Sequence, residues 1–169
     1  MPRPNENDFA PFYSGYIARV KEDDVLTALA NQHKIIEPFL NSIPASKWNY
    51  AYAEGKWTVK ELVQHMIDAE RIFAYRALCI ARKDETPLPS FDEASYAPAS
   101  EAHRRTVAEL IEEFLAVRKA TELLFKSFTE EMLQHRGVAS NKPVSVNALG
   151  FITVGHFYHH KNIIEDKSL

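Results

Sequence analysis

Leu26, Leu29, Ile36 and Leu40 recur at the three- and four-residue steps of a helix that buries one face, in a segment running from about Asp24 to Asn41. His33 falls on the same stripe, and Pro44 lies just beyond the end. A second stripe of Leu62, Met66, Ala69, Phe73, Ala77 and Ile80 continues to about Lys83. Its start is marked by Thr58 and Glu61, spaced as a capping box in which hydroxyl and carboxylate each satisfy an orphan backbone amide. A third segment, about Glu101 to Phe128, turns Val107, Leu110, Phe114, Val117, Leu124 and Phe128 inward and leaves Glu109, Glu112 and Glu113 mostly outward. The fourth runs from Ser145, an N-cap residue type, to Ile164 or Glu165.

Four amphipathic helices of similar length imply an all-α fold, a four-helix bundle. A chain of 169 residues fits it as one domain spanning positions 1–169. The connections, about Ser42–Trp57, Asp84–Ser100 and Thr129–Pro143, are each longer than a bundle hairpin requires. The middle one, DETPLPSFDEASYAPAS, carries three prolines together with Phe91 and Tyr96. It reads as a crossover pinned by two aromatics, or as a lid over a site.

Composition narrows the picture further. Hydrophobic residues make up 46% of the chain, enough for a full core, and the formal net charge of -3 gives no reason to expect a nucleic-acid partner. The single cysteine, Cys79, excludes an internal disulfide. MPRPNENDF lacks the apolar core of a signal peptide, and no later stretch is apolar enough to cross a bilayer. The expectation is a cytoplasmic protein with no nucleic-acid or membrane partner.

The histidines change the picture most. Three of the chain's seven lie in GHFYHH, residues 155–160. Positions four apart share a helix face, so His156 and His160 project side by side. They fall within the stripe of Leu149, Ile152, Thr153 and Ile163, where an unsatisfied imidazole costs about 1–3 kcal/mol. Such a pair also occurs on ordinary helix surfaces, but two rings inside one core share an explanation if they hold a cation. His65 lies on the flank of the second stripe, and Asp68, three residues on, is spaced to orient an imidazole. Three histidines from two helices would leave a coordination position open, as catalytic metal sites do. His159 is rotated away as a packing residue, His33 reads as a core histidine, and His103 and His135 as exposed. Cys79 follows His65 by about 21 Å of helix rise, too far to serve as a nucleophile there.

WTVKELVQHMIDAERIFAYRAL (57–78), LPSFDEASYA (88–97), GHFYHHKNII (155–164) and YIARVKEDDVLTAL (16–29) together resemble the DinB/YfiT-like superfamily of metal-binding four-helix bundles. Carried over by position, the resemblance implies His65, His156 and His160 as metal ligands, with zinc or nickel foremost. His159 matches a frequent histidine of the family that is not generally a ligand. Asn162 stands where glutamine is more usual, a departure that touches no proposed ligand.

The resemblance further implies a metal-dependent enzyme that transfers a low-molecular-weight thiol such as bacillithiol onto an electrophilic small molecule. A hydrolase is the alternative, and a non-catalytic stress-related metal-binding bundle is another. Phe151 and Tyr158 point away from the buried stripe of the last helix, an aromatic surface that a homodimer would cover.

Overall fold

The structure is a computed structural model and describes residues 2–169. Its long helices are α2 (Val25–Ser42), α3 (Val59–Ala81), α5 (Val107–Lys126) and α7 (Val146–Lys167). Shorter helices α1 (Ser14–Ile17), α4 (Glu93–Ala99) and α6 (Glu130–Gln134) sit between them, and β1 (Arg136–Ala139) pairs antiparallel with β2 (Lys142–Ser145). The fold is the expected four-helix bundle, with one small hairpin added in the last connection. No helix among the described residues is long and apolar enough to cross a membrane.

Local chemistry sets the helix starts. Thr58 and Glu61 form both halves of the capping box, and Thr106 with Glu109 form a second at the head of α5. Ser145 Oγ accepts from Ala148 N at 3.1 Å, and Asp24 caps α2 through Thr27 N at 2.9 Å. The third helix begins later than its apolar pattern implies. Glu101 adopts φ 48°, and the 3-10 turn Ala102–Arg104 intervenes before Thr106 starts the helix proper.

The four long helices form a ring in which α2 and α3 each pack on α5 and α7. Val25 meets Gly150, Gln32 meets Val154 and Phe39 meets Phe157, so α2 and α7 run parallel. Gln64 bonds Arg105 and Glu70 bonds Arg118, so α3 and α5 also run parallel. His65 faces His160 while Phe73 faces His156, so α3 and α7 are antiparallel. This arrangement explains the long connections. The chain must cross a diagonal from α2 to α3 and again from α5 to α7, and must return the length of the bundle between α3 and α5. The return segment is held by Phe91, which packs near the Arg76 guanidinium, by buried Ala97, and by Leu88, which bridges Ala139 of the hairpin.

The core has two apolar clusters, one containing Leu29, Phe73, Phe125 and Ile152 and the other Ile36, Met66, Phe114 and Phe157. A polar layer lies between them at the same level on every helix. Fully buried Arg118 donates to both carboxylate oxygens of Glu70 at 2.8 Å and to Gln32 Oε1 at 2.5 Å. Gln32 in turn donates to Val154 O at 2.8 Å. Four helices are thus tied by one hydrogen-bonded unit at mid-bundle.

One inward and one outward assignment change. Leu26 is 37% exposed, because the buried face of α2 centres on Val25, Leu29, Gln32 and Ile36. Phe151, expected at the surface, is fully buried. Helix α7 is covered continuously from Val146 to Phe157, since the N-terminal segment packs on the side away from the bundle. Arg3 lies over the Phe151 ring at 5.4 Å, and the backbone of Tyr16 occupies the space a side chain at Gly155 would need. Phe151 therefore offers no aromatic surface to a second copy.

Candidate metal centre

Helices α3 and α7 bring His65, His156 and His160 together, all three buried. One nitrogen of each lies within 4.8 Å of the others. His156 Nε2 is 3.0 Å from His65 Nε2 and 3.0 Å from His160 Nε2. A ring nitrogen carries one proton or one lone pair in the ring plane, so His156 Nε2 can complete one such hydrogen bond, not two. The spacing does suit nitrogens sharing a single ion: ligands about 2.0–2.1 Å from a metal, at tetrahedral or square angles, lie about 2.9–3.4 Å apart.

Electrostatics agree with that donor set. Burial lowers the pKa of His65 to about 4 and that of His160 to about 2, and it holds His156 well below the ordinary imidazole range; neighbouring histidines add to each shift. Near pH 7 all three rings are neutral and each can present a lone pair at Nε2. The ring proton then sits on Nδ1, and His160 Nδ1 is buried without a hydrogen-bond partner among the described residues. Ring packing holds these imidazoles instead: Trp57 against His65 at 4.9 Å, and Tyr16 and Phe73 against His156 at 5.5 and 5.6 Å.

Asp68 does not take the expected orienting role. Its carboxylate accepts from Gln64 Nε2 at 2.9 Å and lies 3.9 Å from Arg71, on the α5 side of α3, while the His65 ring turns toward α7. Arg71 and Arg105 both pair with Glu113 on that flank. The carboxylate that approaches the cluster is Glu93 of α4, whose Oε2 is 3.9 Å from His65 Nε2 and whose side chain is 61% exposed. Tyr16 also faces this side. Burial raises its pKa foremost, followed by the Glu93 charge, so its hydroxyl stays protonated. Neither Glu93 nor Tyr16 was singled out by pattern, because their approach depends on where the crossover and the N-terminal segment run.

The remaining histidines are dispersed. His159 packs on Tyr16 at 5.1 Å and on His160 at 4.9 Å. His33 is half-buried rather than in the core, with Nδ1 2.6 Å from Glu122 Oε1 of α5. His103 is exposed as expected, whereas His135 is partly covered and lies 3.6 Å from Glu131. Cys79 packs partly buried against the first apolar cluster, far along α3 from the histidines.

A sequence profile described as the DinB superfamily matches residues 28–164. A protein of Oceanobacillus iheyensis described as a proposed metal-dependent hydrolase is 28% identical over 138 residues, covering 76% of this chain and 77% of its own. Among solved structures, YfiT from Bacillus subtilis, a proposed metal-dependent hydrolase with an unusual four-helix bundle topology, aligns with a TM-score of 0.71. The identity is 17%, over 98% of this chain and 91% of YfiT. The mycothiol-dependent maleylpyruvate isomerase aligns with a TM-score of 0.65 and 14% identity, over 80% of this chain but 57% of that enzyme. At these identities the structural likenesses speak to the fold.

Proposed function

Because the chain belongs to the DinB superfamily, we propose that it is a metal-dependent enzyme in which His65, His156 and His160 hold one divalent cation and leave part of its coordination open to small molecules. The observation that carries this reading is the meeting of three buried, neutral imidazole nitrogens in a geometry that hydrogen bonds alone cannot satisfy. Imidazole ligands suit zinc, nickel, iron or copper, and zinc or nickel is the favoured assignment. Such a cation supplies Lewis acidity, so that a thiol or water molecule beside it ionises near neutral pH.

The chain's own residues supply the rest. The three imidazoles need lose no proton before binding, since burial already keeps them neutral. Glu93, at Oε2, is placed to accept the proton that the nucleophile gives up. Tyr16 keeps its hydroxyl proton and can donate to negative charge developing on the substrate. Trp57 packs against His65 and holds that ring in place.

The finer reading is transfer of a low-molecular-weight thiol, such as bacillithiol, onto an electrophilic small molecule. Two observations support it. Cys79, the chain's one cysteine, is remote from the histidines, so a sulfur nucleophile must arrive as a small molecule. A protein of similar fold is described as mycothiol-dependent. Hydrolysis is the second reading, favoured by the descriptions of the Oceanobacillus relative and of YfiT.

The two are separated by assaying zinc- or nickel-loaded protein with bacillithiol plus monochlorobimane, and separately with 4-nitrophenyl esters. Thiol conjugation that requires both metal and protein is the expected result. Ester cleavage without thiol would select hydrolysis. Inactivity in both assays at full metal occupancy would instead favour a non-catalytic metal-binding bundle.

A further inference from the structure

The connection between α2 and α3 helps to form a half-open cavity of about 270 Å³ that reaches His160. That space is of a size to take one small ring-bearing molecule. Trp57, Val59, Leu62 and Ile163 give it apolar walls, and the Trp57 indole also packs on the His65 ring at 4.9 Å. The cavity and the histidine cluster therefore share two walls, Trp57 and His160. Lys56 is the one charged side chain in the lining, no carboxylate lines it, and Lys56 forms no ion pair among the described residues. A half-open, mostly apolar pocket beside a candidate reaction centre, with one exposed lysine at its rim, matches a particular ligand chemistry.

We infer that this cavity is a substrate subsite for a small aromatic or apolar carboxylate, its body against Trp57 and Ile163 and its carboxylate on Lys56. The inference deepens the metal-enzyme reading and rests on it for the word substrate. The binding site itself is defined by Lys56 and the apolar walls. The carboxylate that approaches the histidines, Glu93, lies against His65 and is not part of this lining, so an anion here meets no acidic side chain of the wall. A carboxylate at the rim gains a charge-assisted, solvent-screened contact to the exposed Lys56 ammonium, whereas the isosteric amide gains little from the same lysine. The expected discrimination between acid and amide is about threefold, as for a single solvent-exposed charge pair.

Calorimetric titration of 3-phenylpropionate and 3-phenylpropionamide tests this, using both the metal-free and the zinc-loaded protein. In both forms the acid should bind about threefold tighter than the amide. Lys56→Gln should bring the two affinities together, and Trp57→Ala should weaken both ligands. Equal affinities for acid and amide, a preference that survives Lys56→Gln, or no binding of either probe would each overturn the inference. A preference seen only with zinc and indifferent to Lys56→Gln would place the acid on the cation, overturning the subsite while favouring the metal site. Lys56-dependent discrimination in His65→Ala protein, with no metal effect in the wild-type chain, would support the subsite and count against the metal reading.

Discussion

His65 Nε2 and His156 Nε2 lie 3.0 Å apart, although 91 positions separate them in the chain. The contact joins the buried face of α3 to the buried face of α7, and His160 closes it from one turn further on. Such closeness of neutral ring nitrogens has a thermodynamic consequence before any ligand is considered.

The metal-free protein should lose stability as the solution is acidified. In the unfolded chain these histidines take up protons below about pH 6.5. In the fold His65 resists protonation until about pH 4 and His160 until about pH 2, with His156 also well depressed. Folded pKa values below unfolded ones mean that the unfolded state binds more protons, so stability is intact above about 6.5 and falls from there towards 4. The three together should cost about 4 kcal/mol between pH 7.5 and 5.5. Urea midpoints at the two pH values measure it, and an unchanged midpoint would contradict the burial of neutral rings.

The mid-bundle ion pair should be costly to break from one side. Arg118→Met leaves the Glu70 carboxylate buried without its two guanidinium bonds, and such breaks cost about 3–5 kcal/mol. Combining Arg118→Met with Glu70→Met should cost clearly less than the sum of the single changes. Additive urea-unfolding free energies across that cycle would show that the two side chains do not act as a unit.

Gly155 is where the N-terminal segment presses onto α7. A Cβ there would collide with the backbone of Tyr16, which cannot yield as a flexible side chain can. Gly155→Ala should cost about 1–3 kcal/mol and lower Tm by roughly 2–12 °C for a chain of 169 residues. Metal content should persist, because the histidines project from other faces of the helix. A thermal melt matching the wild type would mean that the segment does not dock as described.

Glu93→Gln should leave metal content unchanged and lower turnover by about 10²–10⁴-fold, the usual range for losing a general base. The measurement is kcat alongside elemental analysis. Undiminished kcat would remove Glu93 from the proton-transfer role.

Much of the scaffold was legible in the chain because amphipathic stripes and caps are local signals. Thr58 with Glu61 and Ser145 mark helix starts that the structure reproduces, and the i, i+4 spacing of His156 and His160 put both rings on one buried face. Periodicity names a buried face but not the helix that covers it. That is why the diagonal placement of α2 and α3 could not be read. Phe151 was misassigned for a related reason: an outward face presumes solvent, and α7 has the N-terminal segment there instead. Asp68 had the right spacing from His65, yet Gln64 and Arg71 on its own helix hold it. Glu93 reaches the site through the path of a Pro-rich crossover, which no periodic pattern encodes.

The central claim is that one divalent cation is shared by His65, His156 and His160. Its most direct test is metal titration of stripped protein, wild type against His156→Ala, followed by dialysis and elemental analysis. The account predicts one equivalent of zinc or nickel retained per wild-type chain and none by the variant. A full equivalent retained by His156→Ala, or none by the wild type at micromolar metal, would contradict it.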